Sequence, residues 1–295
     1  MNNFSIKDVE ALTGIKPHTL RIWEQRYGIP LPNRTATNIR YYTDEDLKIL
    51  LNVAMLNRQG YKISKITKMS KEELDQLVVS ISLNSQDENV HLESLVRAMF
   101  SLDENRFINV FQSSVDQIGF EESFTRLVFP LLSRIGIMWQ TGSINPAYEH
   151  FISHIIRLKL FVATESLPAI NVDLAKKFIL FLPSHETHEL SLLFANYLIR
   201  AAGHHTNYLG PNLPLNDLNP VMKIYKADYF LTVITSSMTS LSPLQIANKL
   251  YGDFPKTTVF MAGSQMMQPN IQYPPNIKLL STFEDFSSVL KSINN

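Results

Sequence analysis

The chain of 295 residues contains no cysteine. Disulfide bonds, thiolate metal sites and thiol catalysis are therefore excluded, and the composition is consistent with the reducing cytosol. Long apolar runs are also absent, since residues 178–183 and 229–234, among the longest, are far too short to cross a bilayer. The first residues carry charges where a signal peptide has its apolar segment. We therefore expect a soluble cytoplasmic protein with no membrane association.

The chain has no net charge, because 27 Lys and Arg residues balance 27 Asp and Glu residues. The two signs are unevenly distributed: residues 1–70 hold 11 basic and 6 acidic side chains, and the remainder holds 16 and 21. A basic end on a neutral chain is typical of a module that binds a polyanion. The 45% content of hydrophobic residues is enough for the cores of two or three domains.

Residues 4–70 contain the start and stop signals of several short helices. Ser5 begins a pattern close to a capping box, and Gly14 ends the first helix. Pro17 suits the first turn of a second helix, which Gly28 ends. Two short helices joined by a tight turn that contains glycine form a helix-turn-helix. A polar, arginine-bearing loop or small β-wing is expected to follow.

Specific motifs accompany this pattern: Thr13-Gly14, Leu20-Arg21, Trp23-Glu24, Arg26-Tyr27-Gly28, Arg34, Arg40-Tyr41-Tyr42 and Asp46-Leu47. With them, about 70 residues resemble the N-terminal winged helix of MerR-family regulators. The resemblance implies a dimer on a two-fold operator in double-stranded DNA. It implies DNA contacts by the second helix and the wing. We expect Leu20 and Trp23 to lie in the core. The DNA-binding residues expected are Lys16, His18, Thr19, Arg21, Arg26, Tyr27, Arg34, Arg40 and Tyr42.

The pattern of apolar and polar residues changes twice after the winged helix. Residues 71–90 are interpreted as a helical connection or linker, and residues 91–167 have helical periodicity with Pro130 at one break. From Lys177 onward, short apolar runs alternate with helices, which predicts a doubly wound, mostly parallel sheet. Ligands of such sheets bind beyond the carboxyl ends of the strands. Three turns are therefore expected at a site, those after Leu182, Ile234 and Ala262.

The predicted fold class is multi-domain α and α/β. A winged helix-turn-helix is assigned to residues 1–75 and a four-helix-bundle cap to residues 88–172. A Rossmann-like, flavodoxin-type domain is assigned to residues 175–293.

The motif Glu186-x-His188-x-x-Ser191 follows the first predicted strand of that sheet. An imidazole there can ligate a metal, and a nearby carboxylate can orient its ring, although a lone His in a turn is more often a surface residue. With Arg200-Ala-Ala-Gly203 and Tyr208-Leu-Gly-Pro-Asn212, the segment resembles the cobalamin-binding domain of methionine synthase and its photoreceptor relatives. The resemblance implies that His188 ligates cobalt from below and that Glu186 is its partner. His185 is a competing ligand at a different spacing.

Two further turns resemble the same domain in altered form. Ser236-Ser237-Met238 stands where a Ser-x-Leu turn lines the nucleotide tail, and Ala262-Gly263-Ser264 stands where a Gly-Gly pair approaches it. Ser191 and Ser264 each replace a glycine of the related domains. The residues expected at the tail are Ser191, Ser236, Ser237, Gly263 and Ser264.

In the predicted bundle, Trp139 is followed by Glu149-His150 after nine intervening residues. This spacing resembles the cap of light-dependent regulators of the CarH and LitR type, where it covers the upper face of adenosylcobalamin. The resemblance places Trp139, Glu149 and His150 at the cofactor. In the photoreceptors a His follows the Trp and captures cobalt after photolysis, whereas this chain has Gln140.

These observations favour a transcription regulator, a repressor, gated by adenosylcobalamin or another corrinoid, with light as a further candidate input. Cofactor binding would shift the equilibrium of a homo-oligomer, a dimer or tetramer. One alternative is a sensor domain without cofactor that receives a protein antirepressor. Another is a corrinoid-dependent transferase, which the winged helix and the lack of a separate substrate domain disfavour. We therefore do not expect an enzyme.

Overall fold

The computed structural model describes residues 3–35, 37–85, 87–140, 144–170, 175–266 and 271–293, with only the backbone described for residues 83, 84 and 137–140. The chain divides into two compact units, residues 1–155 and 156–295. The three domain boundaries expected from the sequence stay a prediction. In the described ranges no helix has the length and apolar character needed to span a membrane.

The first unit opens with a winged helix-turn-helix. Its elements are α1 (Ile6–Thr13), α2 (Pro17–Tyr27), β1 (Asn33–Arg34), β2 (Arg40–Tyr41), α3 (Asp44–Arg58) and α4 (Ile63–Ile66). Capping boxes from Ser5 and Thr43 start α1 and α3. Gly14, with φ of 72°, ends α1 in the left-handed conformation that glycine tolerates best. Leu20 and Trp23 are buried, which confirms their expected place in the core.

A helical bundle follows. Its helices are α5 (Lys71–Asn84), α6 (Glu88–Ser101), α7 (Glu104–Ile118), α8 (Phe120–Ser123), α9 (Phe129–Gln140) and α10 (Pro146–Glu165). Helix α5 occupies most of the segment interpreted as a connection or linker. It packs against α3, α6 and α7, so this segment is an integral part of the first unit. The boundary between the two units falls within α10.

Pro130 does not break the helix, which corrects the expectation from sequence. A π-helical turn, Phe124–Val128, joins α8 to α9, and the N–H of Phe129 bonds the carbonyl of Phe124 five residues earlier. Proline lacks an N–H, and its ring clashes with the carbonyl four residues before it in a regular α-helix. The wider turn just ahead of Pro130 accommodates both effects, and the chain stays helical through it.

The second unit contains a five-stranded sheet with helices between its strands. The strands are β3 (Lys177–Pro183), β4 (His205–Leu213), β5 (Tyr229–Val233), β6 (Thr258–Ala262) and β7 (Ile277–Leu279). The helices are α11 (Leu190–Ala201), α12 (Leu218–Tyr225), α13 (Pro243–Asp253) and α14 (Phe283–Ile293). All pairings are parallel, in the order β4-β3-β5-β6-β7. This is the flavodoxin-type order, so the predicted fold class is confirmed.

Candidate functional site

Helix α2 presents polar and basic side chains on its solvent face. Lys16 precedes the helix and pairs with Glu10 at 2.9 Å. The other residues expected at DNA on this helix are exposed or half-buried, and they are His18, Thr19, Arg21, Arg26 and Tyr27. An exposed basic helix of this kind has the chemistry to contact phosphates and base edges in a major groove.

Tyr42 is not available to DNA, which corrects the expectation that it grips phosphate. Its side chain is fully buried and its hydroxyl donates a hydrogen bond to the carboxylate of Glu24. Burial, followed by the hydrogen bond and charge of Glu24, raises the pKa of Tyr42 far above its usual value. Tyr42 is therefore a core residue that joins the strand region to α2.

The wing carries two arginines in different environments. Arg34 is exposed, and its Nη1 donates to Oδ1 of Asn38 at 2.7 Å. Arg40 is half-buried, and its Nε lies 3.4 Å from Oε2 of Glu24. Of the two, Arg34 is the more exposed side chain.

Glu186 organises the turn after β3 in the second unit. It is fully buried. Its Oε1 accepts hydrogen bonds from the backbone N–H groups of Thr187 at 2.9 Å and His188 at 3.0 Å. Its Oε2 accepts from the N–H groups of Thr235 at 2.7 Å and Ser236 at 2.6 Å. One carboxylate thereby joins the turns that follow β3 and β5.

The ring of His188 is oriented by the same carboxylate. Its Nδ1 lies 2.6 Å from Oε1 of Glu186, and its side chain is 62% exposed. Burial alone would raise the pKa of Glu186, but the His188 ring and the surrounding backbone N–H groups lower it to about 2. Because the carboxylate is ionised, Nδ1 carries the donated proton, and a metal would be bound through Nε2.

The turn after β6 closes against the turn after β5. Gly263 has φ of 108°, and a Cβ at this position would lie 2.2 Å from the carbonyl oxygen of Ile234. The hydroxyl of Ser264 donates to the carbonyl oxygen of Thr235 at 3.2 Å. Any residue other than glycine at position 263 would clash with the backbone of Ile234, and the sequence did not reveal this reason for the glycine.

The structure brings the three predicted turns together at the carboxyl ends of β3, β5 and β6. Ser191 lies in the first turn of α11 and is half-buried. Ser236 accepts a hydrogen bond on its Oγ from the N–H of Met238 at 3.0 Å, and Ser237 is exposed. His185 is exposed with φ of 70°, and its backbone N–H is bonded to Asn212.

The residues predicted to cap the cofactor lie on α9 and α10. Glu149 contacts Nδ1 of His150 at 2.9 Å and accepts a hydrogen bond from Ser153. The side chain of His150 is 77% exposed. The side chain of Trp139 lies outside the described part of the chain.

Sequence reasoning assigned no role to two residues near His188. Asn212 bonds the backbone at both His185 and Glu186, so the end of β4 fixes the turn after β3. Glu189 accepts from Arg157 Nε at 2.8 Å and from the hydroxyl of Tyr208 at 3.1 Å. Asn212 was visible in the Tyr208–Asn212 motif, whereas nothing in the sequence pairs Glu189 with an arginine 32 residues away.

Comparison with known proteins agrees with this architecture. Residues 4–73 match the model of the MerR HTH family regulatory proteins, and residues 91–163 match the model of the B12 binding domain. The chain thus joins a MerR-type DNA-binding domain to a B12 binding domain. It is homologous to two proteins of Myxococcus xanthus, the HTH-type transcriptional repressors CarH and CarA.

The identity to CarH is 27% over 232 residues, covering 77% of each chain. The identity to CarA is 28% over 216 residues, covering 71% of this chain and 68% of CarA. Among solved structures, the monomethylamine corrinoid protein of Methanosarcina barkeri aligns with a TM-score of 0.49 and 10% identity, over 73% of this chain and 96% of that chain.

Proposed function

We propose that this chain is a transcriptional repressor whose DNA binding is gated by cobalamin. The matches to a MerR-type domain and a B12 binding domain support both halves of the proposal, as does the homology to two repressors. The observation that carries it is the buried, ionised Glu186, which holds Nδ1 of the exposed His188. A carboxylate that fixes an imidazole in this way is the usual support of a metal-ligating histidine.

For DNA binding, α2 enters the major groove of a two-fold operator and the wing contacts the adjacent backbone. Arg21, Arg26 and Arg34 are exposed and would supply phosphate or base contacts. One such domain buries little surface on DNA, so a homodimer or tetramer would place two or more winged helices on the operator. The protein is proposed to act by binding rather than as an enzyme.

The donor set of the second unit suits a corrinoid. A corrin ring supplies its own nitrogens to cobalt, so one imidazole is the protein ligand needed, and His188 offers Nε2. His188 would hold the cobalt ion of bound cobalamin, and the cobalt–imidazole bond would couple the cofactor to the turn after β3. Trp139, Glu149 and His150 would shield the bound cofactor. The nucleotide tail would lie among Ser191, Ser236, Ser237, Gly263 and Ser264.

Gating requires that the cofactor bind one assembly state more tightly than another. Ligation by His188 would attach the cofactor to the turn after β3, and the oligomer would shift toward the state that binds the cofactor more tightly. A second candidate keeps the DNA function without a cofactor and assigns the second unit to a protein antirepressor. The bond from Ser264 to Thr235 favours it, because the side chain that replaces a glycine there already binds the neighbouring turn.

The test is a titration of the purified full chain with adenosylcobalamin, in the dark and in light, followed by visible absorbance after removal of free corrinoid. Retention of a two-fold operator fragment, selected from random DNA, is measured in parallel. His188→Ala is compared with His185→Asn, because asparagine tolerates the positive φ at residue 185.

We expect His188→Ala to lose the absorbance change of imidazole ligation and about tenfold or more in cobalamin affinity, while His185→Asn behaves as the native chain. The effect of cobalamin on DNA retention should disappear in His188→Ala only. If the native chain takes up no cobalamin, the cofactor half is wrong. DNA retention that is the same with and without cobalamin, in the native chain and in His188→Ala alike, would favour the antirepressor alternative.

A further inference from the structure

The C-terminal end of α1 is held by groups from outside the helix. The last four carbonyl groups of an α-helix have no partner within it. In α1, the N–H of Gly14 donates to the carbonyl of Glu10 at 2.8 Å. Arg58, from the end of α3, donates through Nη1 to the carbonyl of Thr13 at 2.8 Å. Two carbonyls of the last turn remain to be satisfied.

Those two receive their donor from the bundle. Arg134 of α9 donates through Nη2 to the carbonyl of Leu12 at 2.9 Å and lies 3.5 Å from that of Ala11. Helix α1 has no basic residue in its own last turn. The two guanidinium groups therefore provide the positive charge that the negative end of the helix dipole favours.

A buried carboxylate links the two arginines. Glu93 of α6 is 8% exposed and forms an ion pair with Arg58. Burial raises the pKa of Glu93, while the bond from Arg58 and the charge of Arg134 act in the opposite direction. Burial lowers the pKa of Arg134, and Glu93 opposes that shift. The three side chains form one electrostatic group between α1 and the bundle.

We propose that Arg134 is a positioning residue for DNA recognition, because it fixes the helix-turn-helix in one orientation on the bundle. The carbonyls that it binds lie directly before the Gly14 turn that leads into α2. Helix α3 also packs against α5 and α6, so the winged helix would stay docked without this contact, but α1 and the Gly14 turn would loosen and α2 would sample a wider range of orientations. The inference rests on the DNA-binding role proposed above, and its first test uses neither DNA nor cobalamin.

The test measures the orientation directly by electron paramagnetic resonance. The chain has no cysteine, so cysteines introduced at the exposed residues Gln25 of α2 and Asn105 of α7 are its sole labelling sites. Spin labels at these positions report the distance between the recognition helix and the bundle. We compare the native chain, Arg134→Gln and Arg126→Gln. Arg126 is a matched control, because it is an exposed arginine of the bundle that pairs with Glu88 and Glu122.

We expect a narrow distance distribution in the native chain and in Arg126→Gln, and at least a doubling of its width in Arg134→Gln. Operator affinity should fall about tenfold in Arg134→Gln, and Arg134→Lys should recover part of both effects. A broad distribution in the native chain, or an unchanged one in Arg134→Gln, would overturn the proposal. If circular dichroism shows Arg134→Gln to be unfolded, Arg134→Met takes its place, because it also removes the donors and the charge, and a native-like distribution for that variant overturns the proposal equally.

Discussion

The carboxylate of Glu186 and the ring of His188 are joined at 2.6 Å, and the same carboxylate bonds two backbone N–H groups of the turn after β5. Loss of its charge would therefore disturb both the metal-ligand candidate and the packing of two turns. Because Glu186 is fully buried, water cannot take over these hydrogen bonds when the carboxylate is lost.

We predict that Glu186→Gln lowers the free energy of unfolding at pH 7 by about 3 kcal/mol. Both carboxylate oxygens accept hydrogen bonds from backbone N–H groups, and the amide NH2 of glutamine is a donor that cannot accept them. The pKa of Glu186 falls from 4.5 to about 2 on folding. Its stabilisation is therefore complete above about pH 4.5 and is lost as the pH falls toward 2. Urea unfolding followed by circular dichroism at several pH values measures both effects.

The control for this prediction is Asp253→Asn, which removes one carboxylate that pairs with Lys249 on the surface. We expect its free energy of unfolding to stay within about 0.5 kcal/mol of the native value. If Glu186→Gln is as stable as this control, and loses stability at low pH as the native chain does, the buried carboxylate does not stabilise the turns.

Tyr42 and Arg34 should separate stability from DNA affinity. Tyr42→Phe leaves Glu24 without a buried donor and should lower the free energy of unfolding by about 1 to 3 kcal/mol, with no change in the salt dependence of DNA binding. Arg34→Gln should leave stability unchanged and reduce the slope of log K against log salt by about 1. Operator binding at several salt concentrations measures the slope. A loss of operator affinity in Tyr42→Phe without a loss of stability would return Tyr42 to the DNA interface.

Gly263→Ala should destabilise the second unit by about 3 kcal/mol or more, because its Cβ would overlap the backbone of Ile234. Gly252→Ala is the matched substitution: no atom lies within 4 Å of its added Cβ, and it sits in α13. We expect that variant to gain about 0.5 to 1 kcal/mol from its better helix propensity. Thermal unfolding of both variants measures the difference, and equal stability would contradict the close approach.

The parallel sheet and the edge where three turns meet were predictable from sequence, because each buried strand is a continuous apolar run followed by a helix. The apolar run 178–183 and the turns after β3, β5 and β6 lie where expected. Glu186 and His188 were predictable as a pair because they are two residues apart in one turn. Contacts between residues this close in the chain depend on the local conformation of one turn, and a sequence motif can therefore indicate them.

Contacts between distant segments were not predictable. The bond from Arg134 to Leu12 joins residues 122 positions apart, and no spacing rule reports it. Tyr42 was misplaced because an aromatic residue in an arginine-rich wing has the composition of a phosphate contact, and only the fold shows Glu24 beside it. Pro130 was interpreted as a break because the wider turn that accommodates it has no clear sequence signal.

The wider turn at Phe124–Val128 has a further consequence for α9. Successive residues of a regular helix are rotated by about 100° around its axis, so an extra residue in one turn rotates everything that follows it. The side of α9 on which Arg134 projects is thus set by a turn six to ten residues upstream of it, directly before α9 begins. Deleting a single residue from this turn would rotate Arg134 away from α1 while leaving the sequence of α9 unchanged.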